Sequence, residues 1–293
     1  MALQHRVIYI MGTARSGSTI LEILLAEAEN VFGAGEITNL IEDGFIEDKP
    51  CSCQQSSSRC SIWGPVKDRL GLSESELKEF ECLLQKVDWH TGFIQQLFGL
   101  MSKKDLLAYQ KFNQALLLAI ERTSGCQIIL DSSKFSGRAI ALKRFLKGNL
   151  SVICLTRSPI GLMKSFQKPN KDEQRPKSPL VTLIYYLVTL TSLRLACWIL
   201  GKNVMQMRYE ELQANPVDSL KSIEAFCGLD LKQTKQQIKK RESFDVGHIV
   251  TGNRLRKKGR VYFQQSEKNQ SLKDSSHPFF VGIMQIWKWG LRF

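Results

Sequence analysis

The sequence predicts an α/β fold with a mainly parallel sheet flanked by helices. Three short apolar runs, at residues 7–11, 127–130 and 150–156, contain many β-branched residues and are typical of buried strands. Each run ends in a polar turn and is followed by a helical pattern, the alternation expected of a parallel sheet. We expect a single domain over residues 1–293, with a helical, cysteine-containing insertion at about 50–125 and a mobile loop and apolar helix at about 166–202.

The first strand leads into a glycine-bounded turn that is typical of a phosphate-binding loop. From Gly12 the chain reads Gly-Thr-Ala-Arg-Ser-Gly-Ser-Thr, the spacing of a Walker A loop, but Ser18 stands where that motif has lysine. The loop therefore lacks the cation that reaches the β- and γ-phosphates in nucleoside triphosphatases. Arg15 instead places a permanent cation inside the turn, ahead of a helix N-terminus. We expect a P-loop-like anion site here, with an ordinary strand-to-helix turn as the alternative.

Residues 15–19, Arg-Ser-Gly-Ser-Thr after an apolar strand, resemble the 5′-phosphosulfate loop of sulfotransferases, which use 3′-phosphoadenosine 5′-phosphosulfate. The cation of that loop is lysine in many members and arginine in tyrosylprotein sulfotransferases and many bacterial members. The resemblance implies transfer of a sulfuryl group to an acceptor hydroxyl or amine, without a metal, leaving adenosine 3′,5′-bisphosphate. It also implies that the donor binds the loop residues Gly12, Thr13, Ala14, Arg15, Ser16, Gly17, Ser18 and Thr19.

Glu36 and Lys134 are the other catalytic residues that the resemblance implies. Glu36 follows Arg15 by the same separation as the glutamate base of tyrosylprotein sulfotransferases, and a hydroxyl acceptor benefits from a positioned base. Lys134 follows the strand at 127–130, where that family has a lysine that holds the sulfuryl oxygens. The alternatives are a surface carboxylate or a helix N-cap partner for Glu36, and a solvated lysine at a helix start for Lys134. Asp131 remains a second candidate for the base.

A second set of residues resembles the 3′-phosphate site of the same family. Arg157 ends the strand at 150–156 and Ser165 lies eight residues further on in a helix, which is the family spacing. Tyr209 belongs to an Arg-Tyr-Glu-x-Leu phrase that many members carry, and we expect Arg208 or Tyr209 to approach the adenosine. The segment 248–259 partly matches a basic phrase that grips the nucleotide, and its candidate ligands are Arg254, Arg256, Lys257, Lys258 and Gly259.

Two other classes of function remain open at this point. A P-loop nucleotide kinase would need the lysine and magnesium ligands that the loop lacks. A non-catalytic protein that binds nucleic acid or a membrane would use the same basic surface. The chain carries a net charge of +13; residues 1–50 sum to −5, so the rest carries +18. Because no nucleic-acid-binding motif accompanies this charge, we expect no nucleic acid partner.

The cysteines at 51, 53 and 60 form a compact cluster before Trp63. Three thiols this close suggest zinc, but no fourth ligand and no histidine lie nearby in the sequence. A local disulfide or packed thiols therefore fit the pattern better, and we predict no metal site.

The localisation and the acceptor are the least determined features. The chain starts without a secretory signal pattern, and scattered cysteines in apolar surroundings suit a reducing compartment, so we expect a cytoplasmic protein. The apolar stretch 180–200 is long enough to span a membrane, yet Arg194 favours a buried or substrate-facing helix. The aromatic tail 279–293 either docks on the core or contacts a membrane surface. The acceptor is a carbohydrate, lipid, peptide or small alcohol, and the oligomeric state is open.

Overall fold

A computed structural model describes residues 6–167, 176–252, 254–266 and 275–291 of the chain. Its centre is a five-stranded sheet, β2-β3-β1-β4-β5, in which every neighbouring pair is parallel. The strands are β1 Arg6–Gly12, β2 Val31–Gly33, β3 Ile128–Lys134, β4 Leu150–Thr156 and β5 Val204–Arg208. The predicted α/β fold with a parallel sheet is confirmed. Most of the predicted mobile loop, residues 168–175, lies outside the described residues.

Helices cover both faces of the sheet and fill the insertions. They are α1 Ser18–Ala26, α2 Ile37–Leu40, α3 Trp63–Leu70, α4 Glu74–Asp88, α5 His90–Leu97, α6 Lys103–Ser124, α7 Ser136–Leu146, α8 Pro159–Gln167, α9 Pro179–Leu200, α10 Tyr209–Ala214, α11 Pro216–Cys227, α12 Lys232–Lys240 and α13 Pro278–Gly290. A small antiparallel hairpin, β6 Ser243–Asp245 and β7 Arg260–Tyr262, follows α12 and has no counterpart in the sequence prediction.

Strand β1 shows why its sequence is a continuous apolar run. Val7, Tyr9 and Met11 pack with the helices of the insertion and with α7, whereas Ile8 and Ile10 pack with α1 and α11 on the other face. Because successive side chains of a strand point to opposite faces, a strand covered on both sides needs apolar residues at every position. This burial holds the carboxyl end of β1, and so the glycine loop after it, in a fixed place.

The insertion forms helices α3 to α6, as the helical pattern predicts. Helix α4 begins with a capping box in which the Ser73 hydroxyl accepts a hydrogen bond from the Glu76 N–H and the Glu76 carboxylate accepts one from the Ser73 N–H. The four helices pack on one face of the sheet through a core that includes Trp63, Leu84 and Leu116.

Helix α9 packs inside the protein along one face and exposes apolar residues along another. Residues Pro179–Asn203 are long and apolar enough to cross a membrane by length and composition, and 50% of that apolar stretch is buried within the protein. Leu183, Tyr186 and Leu190 pack with Val281 and Met284 of α13. One face of α13 therefore docks on the core, while Phe279, Ile286 and Trp289 of the same tail are exposed, and contact with a membrane stays a prediction.

Candidate active site

The carboxyl ends of four neighbouring strands bring the predicted site residues to one edge of the sheet. The glycine loop follows β1, Lys134 ends β3, Arg157 follows β4, and Tyr209 follows β5. These residues are far apart in the sequence, and the parallel topology alone places them side by side. Polar groups at this edge of an open α/β sheet are in the usual position for ligand binding.

Two glycines allow the loop its close contacts. A Cβ on Gly12 would lie 2.1 Å from the Leu155 carbonyl oxygen of the neighbouring strand. Gly17 has φ 87°, and a Cβ there would lie 2.2 Å from the Tyr209 ring. The ring of Tyr209 therefore rests directly on the loop, and the positive φ at Gly17 favours glycine independently. Tyr209 was predicted to approach the nucleotide, and it contacts the loop that would hold it.

Several buried donors of the loop and of the neighbouring Arg157 have no hydrogen-bond acceptor among the described residues. They are Thr13 Oγ1, Ser16 Oγ, Arg15 Nε and Arg157 Nε. Helix α1 begins at Ser18, so its first N–H groups add further unpaired donors at the same place. Since buried polar groups are nearly always hydrogen-bonded in native proteins, donors gathered in this way indicate a site for an anion.

Arg15 and Arg157 lie next to each other at the loop. The Arg157 guanidinium donates a hydrogen bond of 2.7 Å to the Arg15 carbonyl oxygen, and its Cζ lies 5.1 Å from the centre of the Tyr209 ring. Burial lowers the pKa of Arg157, Tyr209 and Glu210 oppose that effect, and the neighbouring Arg15 cation lowers it further. Because the Arg15 charge acts on Arg157 in this way, the loop is electropositive, and a bound polyanion would offset the repulsion between the two cations.

Glu36 and Lys134 form an ion pair at the mouth of the site, with only 13% and 20% of their side chains exposed. The second carboxylate oxygen of Glu36 accepts a hydrogen bond of 3.2 Å from Asn39 Nδ2. Lys134 has φ 77° and Arg15 has φ 63°, a left-handed conformation that is uncommon for residues other than glycine. Such strained backbone is frequent at functional sites, where the surroundings fix it.

The glutamate also lies close to the start of α1. A Cβ on Gly252 would be 3.3 Å from Glu36 Oε1 and 3.7 Å from Thr19 Oγ1, so both groups face the same point of the chain. Thr251 donates a hydrogen bond of 2.9 Å to the Glu36 carbonyl oxygen. Arg15 and Arg157 thus lie together at the loop, and the Glu36–Lys134 ion pair lies near Thr19 at the start of α1. The catalytic and binding roles of these residues stay predictions.

Glu22, which the sequence analysis missed, connects the parts of this site. Its two carboxylate oxygens accept hydrogen bonds from the Gly35 N–H at 2.5 Å and the Ser132 hydroxyl at 2.6 Å. Gly35 precedes Glu36, and Ser132 lies two residues before Lys134, so Glu22 fixes both strand ends from α1. Burial raises the pKa of this carboxyl to about 8. The sequence did contain a signal for this residue, because Glu22 is the single charged residue in the apolar helix α1.

We expect Glu22→Gln to be increasingly stable relative to the wild type as the pH rises, because glutamine has no titrating proton. Like the protonated carboxyl, its amide accepts from the Gly35 N–H through its oxygen and donates to the Ser132 oxygen from its other group. Folded Glu22 holds its proton up to about pH 8, whereas the unfolded carboxyl releases it near 4.5, so the wild type loses stability between these values. The free energy of unfolding of E22Q should gain on the order of 3 kcal/mol relative to the wild type across that window. Urea unfolding at about pH 5 and about pH 9 measures this difference.

The matched control is Glu29→Gln, which removes an exposed carboxylate just after the same helix. Its stability should follow the wild type at both pH values. If E22Q and the wild type changed in parallel with pH, the assignment of a neutral buried Glu22 would be wrong.

Asp131 belongs to a buried ionic network, and this excludes it as the base. Arg138 donates to Asp131 Oδ2 at 2.6 Å and to Asp88 Oδ2 at 3.2 Å, and its side chain and both carboxylates are essentially unexposed. It also donates to Tyr109 and Asn113, at 3.0 and 3.1 Å. The prediction of Asp131 as a second candidate for the base is therefore wrong, because a carboxylate paired with an arginine inside the protein cannot contact an acceptor.

The remaining predicted ligands are placed less directly. Ser165 is half-buried in the last part of α8. Arg256 donates a hydrogen bond of 2.9 Å to the Pro50 carbonyl oxygen, while Lys257 and Lys258 are exposed and Gly259 has φ 66°. The side chain of Arg254 lies outside the described residues. The role of these residues in binding the nucleotide stays a prediction.

The fold and the site together define an α/β protein with a P-loop-like turn, unpartnered buried donors at that turn and a carboxylate next to it. The sulfotransferase family model matches residues 7–233 of the chain. The chain belongs to the sulfotransferase family, and it is a sulfotransferase enzyme. No curated protein sequence matches it.

Solved sulfotransferase structures are similar to this one at low sequence identity. The sulfotransferase domain from the curacin biosynthetic pathway has a TM-score of 0.53 and 17% identity, over 100% of this chain and 99% of that one. Sulfotransferase STF9 from Mycobacterium avium has a TM-score of 0.48 and 12% identity, over 80% of this chain and 67% of that one. Mouse sulfotransferase SULT7A1, complexed with PAP, has a TM-score of 0.48 and 12% identity, over 99% of this chain and 84% of that one. The first of these comparisons shows the shared fold.

Proposed function

We propose that this sulfotransferase takes its sulfuryl group from 3′-phosphoadenosine 5′-phosphosulfate. The observation that carries the proposal is the contact between Arg157 and the backbone of Arg15, which joins two cationic sites at one loop. A donor with a 5′-phosphosulfate and a 3′-phosphate would present an anion to each cation. Guanidinium groups are suited to such phosphate oxygens because their fork of N–H donors matches the oxygen spacing.

The loop supplies most of the binding in this proposal. Thr13, Ser16 and Thr19, with the first N–H groups of α1, hold the 5′-phosphate, and Arg157 holds the 3′-phosphate with Ser165 and the basic segment 254–259. Tyr209 packs against Gly17 and Arg157, so it fixes the position of the arginine relative to the loop. No magnesium or other metal is required for this arrangement of charges.

The chemistry is an in-line displacement at sulfur. Glu36 accepts the proton of the acceptor hydroxyl while the acceptor oxygen forms its bond to sulfur and the bond from sulfur to the bridging oxygen breaks. Arg15 and Lys134 stabilise the negative charge on the sulfuryl oxygens and on the leaving phosphate. Lys134 pairs with Glu36 in the structure, and in this proposal it is shared with the sulfuryl group during transfer.

Helix α9 supports an acceptor with an apolar portion. The Tyr185 hydroxyl of α9 accepts a hydrogen bond of 2.6 Å from the Ala14 N–H, so this helix reaches the loop itself. Val181 and Val188 lie on the same helix face as Tyr185 and are about half exposed, as is Ile184 beside them. An apolar surface that begins at the loop would contact the body of a hydrophobic alcohol or a lipid more favourably than a sugar.

Transfer of labelled sulfuryl from the donor to a panel of acceptors tests the proposal. The panel pairs long-chain alcohols with short ones, and includes a sugar and a tyrosine peptide. We expect label on a hydroxyl acceptor, with long-chain alcohols preferred, and no stimulation by magnesium. Absence of transfer to every class, or dependence on magnesium and a nucleoside triphosphate, would overturn the proposed donor and favour a kinase.

A further inference from the structure

The cysteine cluster of the insertion lies beside a histidine from the far end of the chain. Ligand atoms of Cys51, Cys53, Cys60 and His248 all lie within 4.8 Å of one another. His248 follows Cys60 by 188 residues. The sequence analysis therefore found no fourth ligand near the cysteines. The fold supplies the ligand that the local sequence lacks.

The distances between these atoms match the edges of a metal tetrahedron. Cys60 Sγ lies 3.7 Å from Cys51 Sγ, and His248 Nδ1 lies 3.2 Å from Cys60 Sγ and 3.9 Å from Cys51 Sγ. A tetrahedral zinc ion with zinc–sulfur bonds of about 2.3 Å and zinc–nitrogen bonds of about 2.0 Å would separate two sulfurs by roughly 3.8 Å and sulfur from nitrogen by roughly 3.5 Å. A disulfide between Cys51 and Cys60 would need about 2 Å between the sulfurs.

We propose that Cys51, Cys53, Cys60 and His248 bind one zinc ion in a closed tetrahedral site. Three thiolates and one imidazole are a ligand set found in structural zinc sites, and soft thiolates favour zinc over magnesium or calcium. Four protein ligands leave no open position for water or substrate, so the site is structural and takes no part in sulfuryl transfer. This proposal replaces the prediction that the chain has no metal site.

The backbone around these ligands is already arranged for binding. Ser52, between two of the cysteines, donates its hydroxyl to the Gly247 carbonyl at 2.5 Å and accepts from the Ile249 N–H at 2.8 Å, so it fixes the backbone on both sides of His248. Trp63 Nε1 donates to the His248 carbonyl oxygen at 2.6 Å. Cys51 and Cys60 are buried, whereas Cys53 and His248 are half-buried and leave a route for the ion.

The zinc ion would connect the insertion to the segment that borders the active site. Three and four residues after His248 come Thr251, which holds the Glu36 backbone, and Gly252, which lies against Glu36 and Thr19. The basic segment 254–259 follows directly. The metal would therefore hold the position from which this segment reaches the nucleotide site, and its loss should loosen residues 246–252.

Metal analysis of the purified, chelator-washed protein tests the proposal independently of activity. We expect about one zinc per chain, the stoichiometry of a structural site. His248→Ala and Cys53→Ser should lose the ion, whereas the matched control Cys82→Ser, which changes an exposed cysteine outside the cluster, should retain it. Hydrogen exchange should then show faster exchange of the Ile249 amide after zinc removal from the wild type.

Cobalt substitution of the wild type keeps the test decisive even where a variant fails to fold. Tetrahedral cobalt bound by three thiolates should give intense charge-transfer and visible ligand-field absorption. Zinc held equally by H248A and C82S would show an adventitious ion only and would overturn the proposal. So would a native protein without metal, or one with a Cys51–Cys60 disulfide.

Discussion

Replacing Arg15 by alanine should lower the turnover number by about two to three orders of magnitude, because the variant loses the cation that faces the developing charge. This corresponds to on the order of 3 kcal/mol of transition-state stabilisation, the size of one lost oxyanion contact. Arg15 is half-buried in the loop, and its carbonyl oxygen rather than its side chain holds Arg157. The fold and the position of Arg157 should therefore survive the substitution. Steady-state kinetics with labelled donor measure the effect.

Two further variants separate charge from backbone conformation at this position. Arg15→Gly accepts the left-handed φ of 63° without strain but has no cation, so it should be as inactive as R15A. Arg15→Lys keeps the charge but loses the planar fork of donors, so it should retain more activity than R15A and less than the wild type. Near-normal turnover of R15A and R15G would refute a catalytic role for this guanidinium.

Arg138→Met should destabilise the folded protein by about 3 to 5 kcal/mol, the cost of removing one partner from a buried ion pair. The side chain of Arg138 has 0% exposure, and its loss leaves Asp88 and Asp131 without a counter-charge. Burial already raises the pKa of Asp88 against the opposing effect of Arg138. Without the arginine Asp88 would take up a proton more readily, so the loss of stability should shrink as the pH falls. Urea unfolding at two pH values measures both effects.

The matched control is Arg144→Met on the same helix, where the side chain is exposed. We expect a change within about 0.5 kcal/mol, as for most surface substitutions. Adding Asp88→Asn and Asp131→Asn to R138M should recover part of the lost stability, because the unpaired charges are removed. Equal effects of R138M and R144M would show that the network contributes nothing specific.

The sequence predicted the parts of the site that are local in the chain. The apolar strand, the glycine spacing and Arg15 lie within one short stretch, so the loop can be predicted from the local sequence alone. Arg157, Lys134 and Tyr209 were also predicted, since each follows a strand and parallel strands place their carboxyl ends together. In the structure Arg157 and Tyr209 contact the loop, and Lys134 pairs with Glu36. Their roles in donor binding and transfer stay predictions.

The parts that sequence reasoning missed depend on contacts between distant residues. Arg138 and Asp88 look like ordinary charged residues of solvated helices, and only the packing of α4 against α7 buries them together. His248 is isolated in the sequence, and the pairing of its segment with the loop at 51–60 brings it to the cysteines. Glu22 stands in an apolar helix, but its partners come from two strand ends. Such long-range pairing leaves no periodic signal.

Calorimetric titration with adenosine 3′,5′-bisphosphate tests the central claim most directly, because it needs no acceptor. We expect saturable binding at one site that weakens strongly in Arg157→Ala, and much weaker binding of adenosine 5′-monophosphate, which lacks the 3′-phosphate. Equal affinity for the two nucleotides, or bisphosphate binding that Arg157→Ala leaves unchanged, would contradict the assignment of the loop and Arg157 as one donor site.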